Sequence, residues 1–178
     1  LPLDLVSLGA DPLHKDIFLE IDWQSGYKPT ANVKTMVENA FKNAPVDNPD
    51  GYPGINLHID ISNEVAGISA SQAVSFSPYD IIGGSDFDSI KANNFNPDRK
   101  PVYHYALFAG AFSIGPVNKN SSGIAEQGGN DLMVTVNPSR QAFATGLSLD
   151  EMHAVTLMHE LGHNLGLTHG GDTSFKNN

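Results

Sequence analysis

Three histidines and a glutamate share one short run near the end of the chain, His159-Glu160-Leu161-Gly162-His163-Asn164-Leu165-Gly166-Leu167-Thr168-His169. On a helix, residues four apart sit one turn above each other, so His159 and His163 can aim ring nitrogens at a single cation. Glu160 then falls beside that cation but outside the ligand pair. A continuing helix would carry the chain away from the site. Gly166 permits a sharp bend, and His169 can fold back to supply a third ligand. Three neutral imidazoles leave a fourth position open for water, the arrangement of a catalytic zinc ion rather than a closed structural one. The expected chemistry is hydrolysis: zinc activates a bound water and polarises a carbonyl, while Glu160 takes the water's proton and passes it to the leaving amine. A non-catalytic zinc site is the bland alternative, and it leaves Glu160 without a role.

The setting of the run supports the helical reading. Ser148-Leu149-Asp150-Glu151 is a capping box, with the Ser148 hydroxyl accepting from the Glu151 N–H and the Glu151 carboxylate reaching back. The helix it opens should run to about Leu165 and stop at Gly166. Upstream, Ile17 to Trp23 alternates with the period of a strand. Val33, Met36, Val37, Ala40 and Phe41 recur at helical spacing and predict an amphipathic helix that ends before Pro45. The turn-rich Asn48 to Gly54 leads to a second alternating strand through Ile55, Leu57, Ile59 and Ile61. From about Ser62 to Lys100 the chain reads as long irregular connections with one short helix around Phe87 and Ile90. Val102 to Phe112 is expected as a third strand, Gly123 to Glu126 as a short edge strand, and Leu132 to Val136 as the next, closed by Asn137-Pro138. The order is that of an α/β (α+β) fold, one domain across residues 1–178.

Composition bounds the partners. With ten Lys and Arg against twenty Asp and Glu, the net charge is -10, and the basic residues form no cluster, so no nucleic acid is expected as a partner. There is no cysteine, so any metal site must be built from His and carboxylate. No apolar run approaches the roughly 18 residues of a membrane span. Leu1 in place of Met implies that a signal peptide, a pro-segment or other upstream residues have been removed.

The remaining histidines lack paired ligand spacing. His58 should lie on the polar face of its strand, His104 should be packed among aromatics, His14 lies in a loop, and His153 is six residues before His159 and off the ligand face. Asp80, Asp86 and Asp88, in a loop bearing Gly and Ser, could hold a structural Ca2+ through oxygen ligands, although solvated loop carboxylates explain them as well. Asn120-Ser121-Ser122 fits a glycosylation acceptor, a triplet common by chance.

The longer motif, His159-Glu160-x-x-His163-x-x-Gly166-x-x-His169, resembles the signature of the metzincin clan of zinc peptidases. The stretches from His14 to Asp22 and from Gly128 to Asp131 are similar to secreted prokaryotic members, while Gly170-Gly171-Asp172 matches none of the astacins, matrixins, serralysins or adamalysins. The resemblance implies a twisted, mixed five-stranded sheet, a backing helix and an active-site helix. It also implies an antiparallel edge strand on which a peptide substrate lies extended, here Gly123, Ile124, Ala125 and Glu126. Such an edge offers unpaired N–H and C=O groups. Metzincins further carry a Met-containing turn beneath the zinc, in a lobe after the third histidine. None of Met36, Met133, Met152 or Met158 follows His169, so that lobe is expected to be cleaved, truncated or supplied as a separate chain. Two readings stand at this point. One is a secreted zinc endopeptidase, with a pro-segment or a C-terminal fragment as further partners. The other is a catalytically incompetent zinc domain that binds peptides or partners on its edge strand.

Overall fold

The computed structural model of the protein describes residues 3–77, 86–137 and 146–170. Along the chain run β1 (Asp16–Trp23), α1 (Ala31–Lys42), β2 (Asn56–Glu64), β3 (Val74–Ser75), α2 (Asp86–Asn94), a 3-10 turn (Pro97–Arg99), β4 (Tyr103–Phe108), β5 (Phe112–Ile114), β6 (Val117–Asn118), β7 (Gly123–Ala125), β8 (Asp131–Val134) and α3 (Leu149–Asn164). The fold is mixed α/β. Five strands form the main sheet in the order β2-β1-β4-β8-β7, and a small second sheet has the order β3-β5-β6. β1 pairs in parallel with β2 and β4, β4 pairs in parallel with β8, and β7 runs antiparallel to β8 at the edge.

The period of two in β1 sorts its residues between two cores. Leu19, Ile21 and Trp23 face α1 and α3, packing with Val33, Val37, Leu157 and Leu161. Phe18 lies in the opposite core with Phe87, Ile90, Tyr105 and Met133, beneath α2 and the small sheet. Both helices that back the first core are capped as their sequences require. Thr30 accepts from the Val33 N–H at the start of α1, and both halves of the Ser148–Glu151 capping box are formed on α3. Leu157 and Leu161 are fully buried, each worth about 1.5–3 kcal/mol relative to an exposed side chain.

The polar positions that alternate with these apolar residues in β1 are enclosed as well. Glu20 is 2% exposed and Asp22 is wholly buried. Their charges are matched locally. Arg99 Nη1 lies 2.6 Å from Glu20 Oε2 and 2.6 Å from Asp60 Oδ2. Asp22 accepts from the Tyr105 hydroxyl at 2.8 Å and from the Asn63 N–H at 2.9 Å. Burial still raises both carboxyls above the usual range. His58 is only partly on a polar face: it stacks on Phe18 with ring centroids 4.4 Å apart and holds Asp16 at 2.6 Å.

The expected strand from Val102 to Phe112 is two strands in two sheets. β4 stops at Phe108, and Gly110 turns the chain away beside Tyr27, whose ring occupies the space a side chain would need. The Gly110 N–H donates to the buried Gln24 amide oxygen, while the Gln24 amide donates to the carbonyls of Ser69 and Gln72. The short helix expected near Phe87 is α2. The expected closure at Asn137-Pro138 lies partly outside the described residues, since Pro138 is not among them.

Asp131, on β8, pairs with Lys91 from α2. Burial nevertheless pushes its carboxyl up to about 6, from an ordinary value of 3.8, with Glu126 and Asp88 adding to the rise. The folded value lies above the unfolded one. Its stabilising contribution is therefore complete below about pH 4 and is lost as pH rises through about 6, on the order of 3 kcal/mol. Urea midpoints measured between pH 4 and 7 should accordingly decline less steeply with pH in Asp131→Asn than in the parent; matching slopes would show that Asp131 is not the titrating group.

Candidate metal centre

Two successive terminators on α3 place the third histidine. The helix ends at Asn164, and Gly166 then takes φ +91°, a left-handed conformation that costs glycine little. The Leu167 N–H bonds back to the Gly162 carbonyl and the Gly166 N–H to that of His163, both at 2.9 Å. This pair of bonds is the Schellman arrangement, and it satisfies carbonyls the helix end would otherwise leave free. The reversed chain brings His169 back over the helix.

The outcome is a triangle of ring nitrogens. The Nε2 atoms of His159 and His169 are 3.0 Å apart, and that of His163 is 3.1 Å from each. No set of imidazole protons satisfies three such contacts among three atoms, whereas three lone pairs on one cation do. A tetrahedral ion with metal–nitrogen bonds of about 2.0–2.1 Å spaces its ligands by roughly 3.3 Å, close to what is found. Among the described residues this is the one cluster of three or more His, Cys, Asp or Glu side chains suited to a metal ion. His163 Nδ1 lies 2.7 Å from the Leu167 carbonyl, so this nitrogen is the protonated one and Nε2 keeps its lone pair. Burial, followed by the neighbouring His163 and His169, holds His159 below the usual histidine range and favours its neutral, ligating form.

Glu160 points into the same cleft, 5% exposed. Burial pushes its carboxyl up to about 7. The cleft encloses about 850 Å³. One wall is the α3 face carrying Val155, His159 and His163, and the other is the β7 edge. Phe112 and Ile114 from β5 also line it, a contribution the sequence did not signal.

β7 is the expected edge strand, from Gly123 to Ala125, with Glu126 extending the pairing through its N–H to the Asp131 carbonyl. The Thr135 N–H bonds to the Ser122 carbonyl at the other end. Backbone groups alternate along an antiparallel strand, so residues 122, 124 and 126 face β8 while those of Gly123 and Ala125 face away, toward the cleft.

Asn164, unremarked in the sequence, anchors this geometry. Its amide donates to the Glu126 carbonyl at 2.8 Å and to the Asp131 carbonyl at 2.9 Å, and its Oδ1 lies 3.1 Å from His104 Nδ1. The Gly128 N–H adds a bond to the His163 carbonyl. The end of α3 is thus stitched to the loop between β7 and β8. His104, expected among aromatics, is half-buried and meets the Asn164 amide instead. His153 is buried, edge-on to Phe108 and off the ligand face, and His14 pairs with Asp50. Of the three aspartates considered for Ca2+, Asp80 lies outside the described residues, Asp86 accepts from the Ser75 N–H, and Asp88 stands in the first turn of α2. No helix among the described residues is long and apolar enough to cross a membrane.

Comparison with protein-family models and with curated proteins finds no match for this chain. The geometry must therefore carry the functional reading. It predicts that Asn164→Ala weakens binding of Zn2+ or Co2+ by roughly 10- to 100-fold. Competition with a chromophoric chelator measures this, and unchanged affinity would show that the clamp does not set the ligand geometry.

Proposed function

We propose that the protein is a zinc-dependent endopeptidase of metzincin-like type that cleaves extended segments of protein or peptide substrates. One observation carries the reading: three convergent imidazole nitrogens beside a buried carboxylate, in an open cleft bordered by an antiparallel strand edge. His159, His163 and His169 would hold the ion, and bound zinc would supply Lewis acidity toward water and the scissile carbonyl. The rest of the chemistry belongs to the chain.

Gly123 and Ala125 turn N–H and C=O groups toward the cleft, and an extended peptide can pair with them as an additional strand. Pairing fixes the peptide's direction and holds one of its carbonyls between β7 and α3. That alignment replaces a chance encounter with a positioned one. The Glu160 carboxylate accepts a proton from the attacking water and delivers it to the departing amine nitrogen, so that a neutral amine leaves. The buried setting of Glu160 supports this double duty. Resemblance of the motif to secreted metzincins further supports placing the protein outside the cell.

Glu160→Ala should retain stoichiometric zinc yet lose kcat/KM on a quenched-fluorescence peptide by roughly 10²- to 10⁴-fold. Treatment of the parent with 1,10-phenanthroline should abolish cleavage, and added Zn2+ should restore it. Near-parental cleavage by Glu160→Ala contradicts the proton-carrying role. A zinc-loaded parent that binds peptides without cleaving them favours the alternative, an inactive domain that captures peptides on β7.

A further inference from the structure

Gly123 begins β7 at a place where a side chain would collide. A Cβ there would stand 2.6 Å from Glu160 Oε1, 2.7 Å from Cγ and 2.8 Å from Cδ, inside the 3.0 Å that real Cβ atoms respect. Backbone conformation does not call for glycine here, because Gly123 is not among the glycines of positive φ. Strand preference argues against it, since glycine weakens a strand and offers nothing to pack. Ala125, two residues on and facing the same side, carries its methyl without difficulty and packs against the core. What distinguishes position 123 is the glutamate lying against it.

We infer that Gly123 is a positioning residue for Glu160: the missing side chain is the seat of the carboxylate. The strand cannot easily give way, because its neighbours are tied to β8 through the Ser122 carbonyl and the Ile124–Met133 pairing. Glu160 is the partner that can move, because the atoms met are those of its side chain and its carboxylate borders the cleft. A methyl at 123 must therefore displace the carboxylate. The same residue turns its own N–H and C=O toward the cleft, so one position sets both where an extended peptide backbone would pair and how closely Glu160 approaches it. The catalytic half of this inference rests on the proposed peptidase activity, and the steric half does not.

A double-mutant cycle tests the two halves separately. In metal-free protein, Gly123→Ala should lower Tm by about 4 °C when Glu160 is present. In the Glu160→Ala background the same substitution should leave Tm unchanged or raise it, because the methyl then fills vacated space. Equal shifts in both backgrounds overturn the seat. Should Gly123→Ala alone fail to fold, normal folding of Gly123→Ala/Glu160→Ala supports the seat, and failure of both overturns it. In zinc-loaded protein, Gly123→Ala should reduce kcat roughly 100-fold with KM within about twofold and zinc content unchanged. In the Glu160→Asp background, whose carboxylate is one methylene shorter, the added methyl should cost less than about threefold, and an undiminished loss there overturns the positioning role. If the zinc-loaded parent cleaves nothing, the proposed activity fails, while the metal-free cycle still decides the seat.

Discussion

A side-chain amide holds the working end of α3 in place. Asn164 bonds to the carbonyls of Glu126 and Asp131, one on each side of the loop joining β7 to β8. Helix ends are ordinarily where helices fray, because their last carbonyls lack partners. Here the Schellman bonds satisfy two of them, the Gly128 N–H reaches the His163 carbonyl, and Asn164 ties the last helical residue to the sheet. The turn carrying His169 begins from that fixed point. Loosening the clamp would let two of the three imidazoles drift relative to the strand edge, and a site that needs sub-ångström agreement tolerates little drift.

The rest of α3 is buried on nearly every side, with Met152, Ala154, Leu157 and Leu161 in the core and the polar His153, Thr156 and Glu160 also enclosed. Val155 and His159, four apart, are its most exposed interior positions and define the stripe open to the cleft. A helix packed this way has little freedom to rotate. Its exposed stripe can therefore serve chemistry while its other faces supply stability, and the chemical groups inherit the rigidity of the core. The buried charges beneath the opposite core follow the same logic. Glu20, Asp22 and Asp131 are each met by a specific partner, because an unmatched charge at such depth would be prohibitive.

Much of this was legible in the sequence, and for identifiable reasons. Capping chemistry at Ser148, the left-handed stop at Gly166 and the four-residue spacing of His159 and His163 are local rules, and each acts over a single turn of chain. The strand edge at Gly123 could also be read from local composition. Contacts made across the fold left no such mark. Asn164 reads as an ordinary helix-end residue until the chain closes and brings the carbonyl of Asp131, 33 positions earlier, within reach. Gly123 reads as the start of an edge strand with no evident need for glycine until Glu160 is seen lying on it. Burial of Glu20 and Asp22 was hidden for the same reason, since alternation shows which residues share a face but not whether α2 and a second sheet cover it. The split of the strand near Phe108 depended on Gln24 and Tyr27, far upstream.

The proposed function requires that His159, His163 and His169 jointly bind one zinc ion through Nε2. Anomalous diffraction from zinc-loaded crystals, recorded on both sides of the zinc absorption edge, tests it most directly. Joint ligation should give one strong peak within about 2.0–2.1 Å of all three Nε2 atoms. A peak held by fewer than three of these histidines, or located away from them, would contradict it.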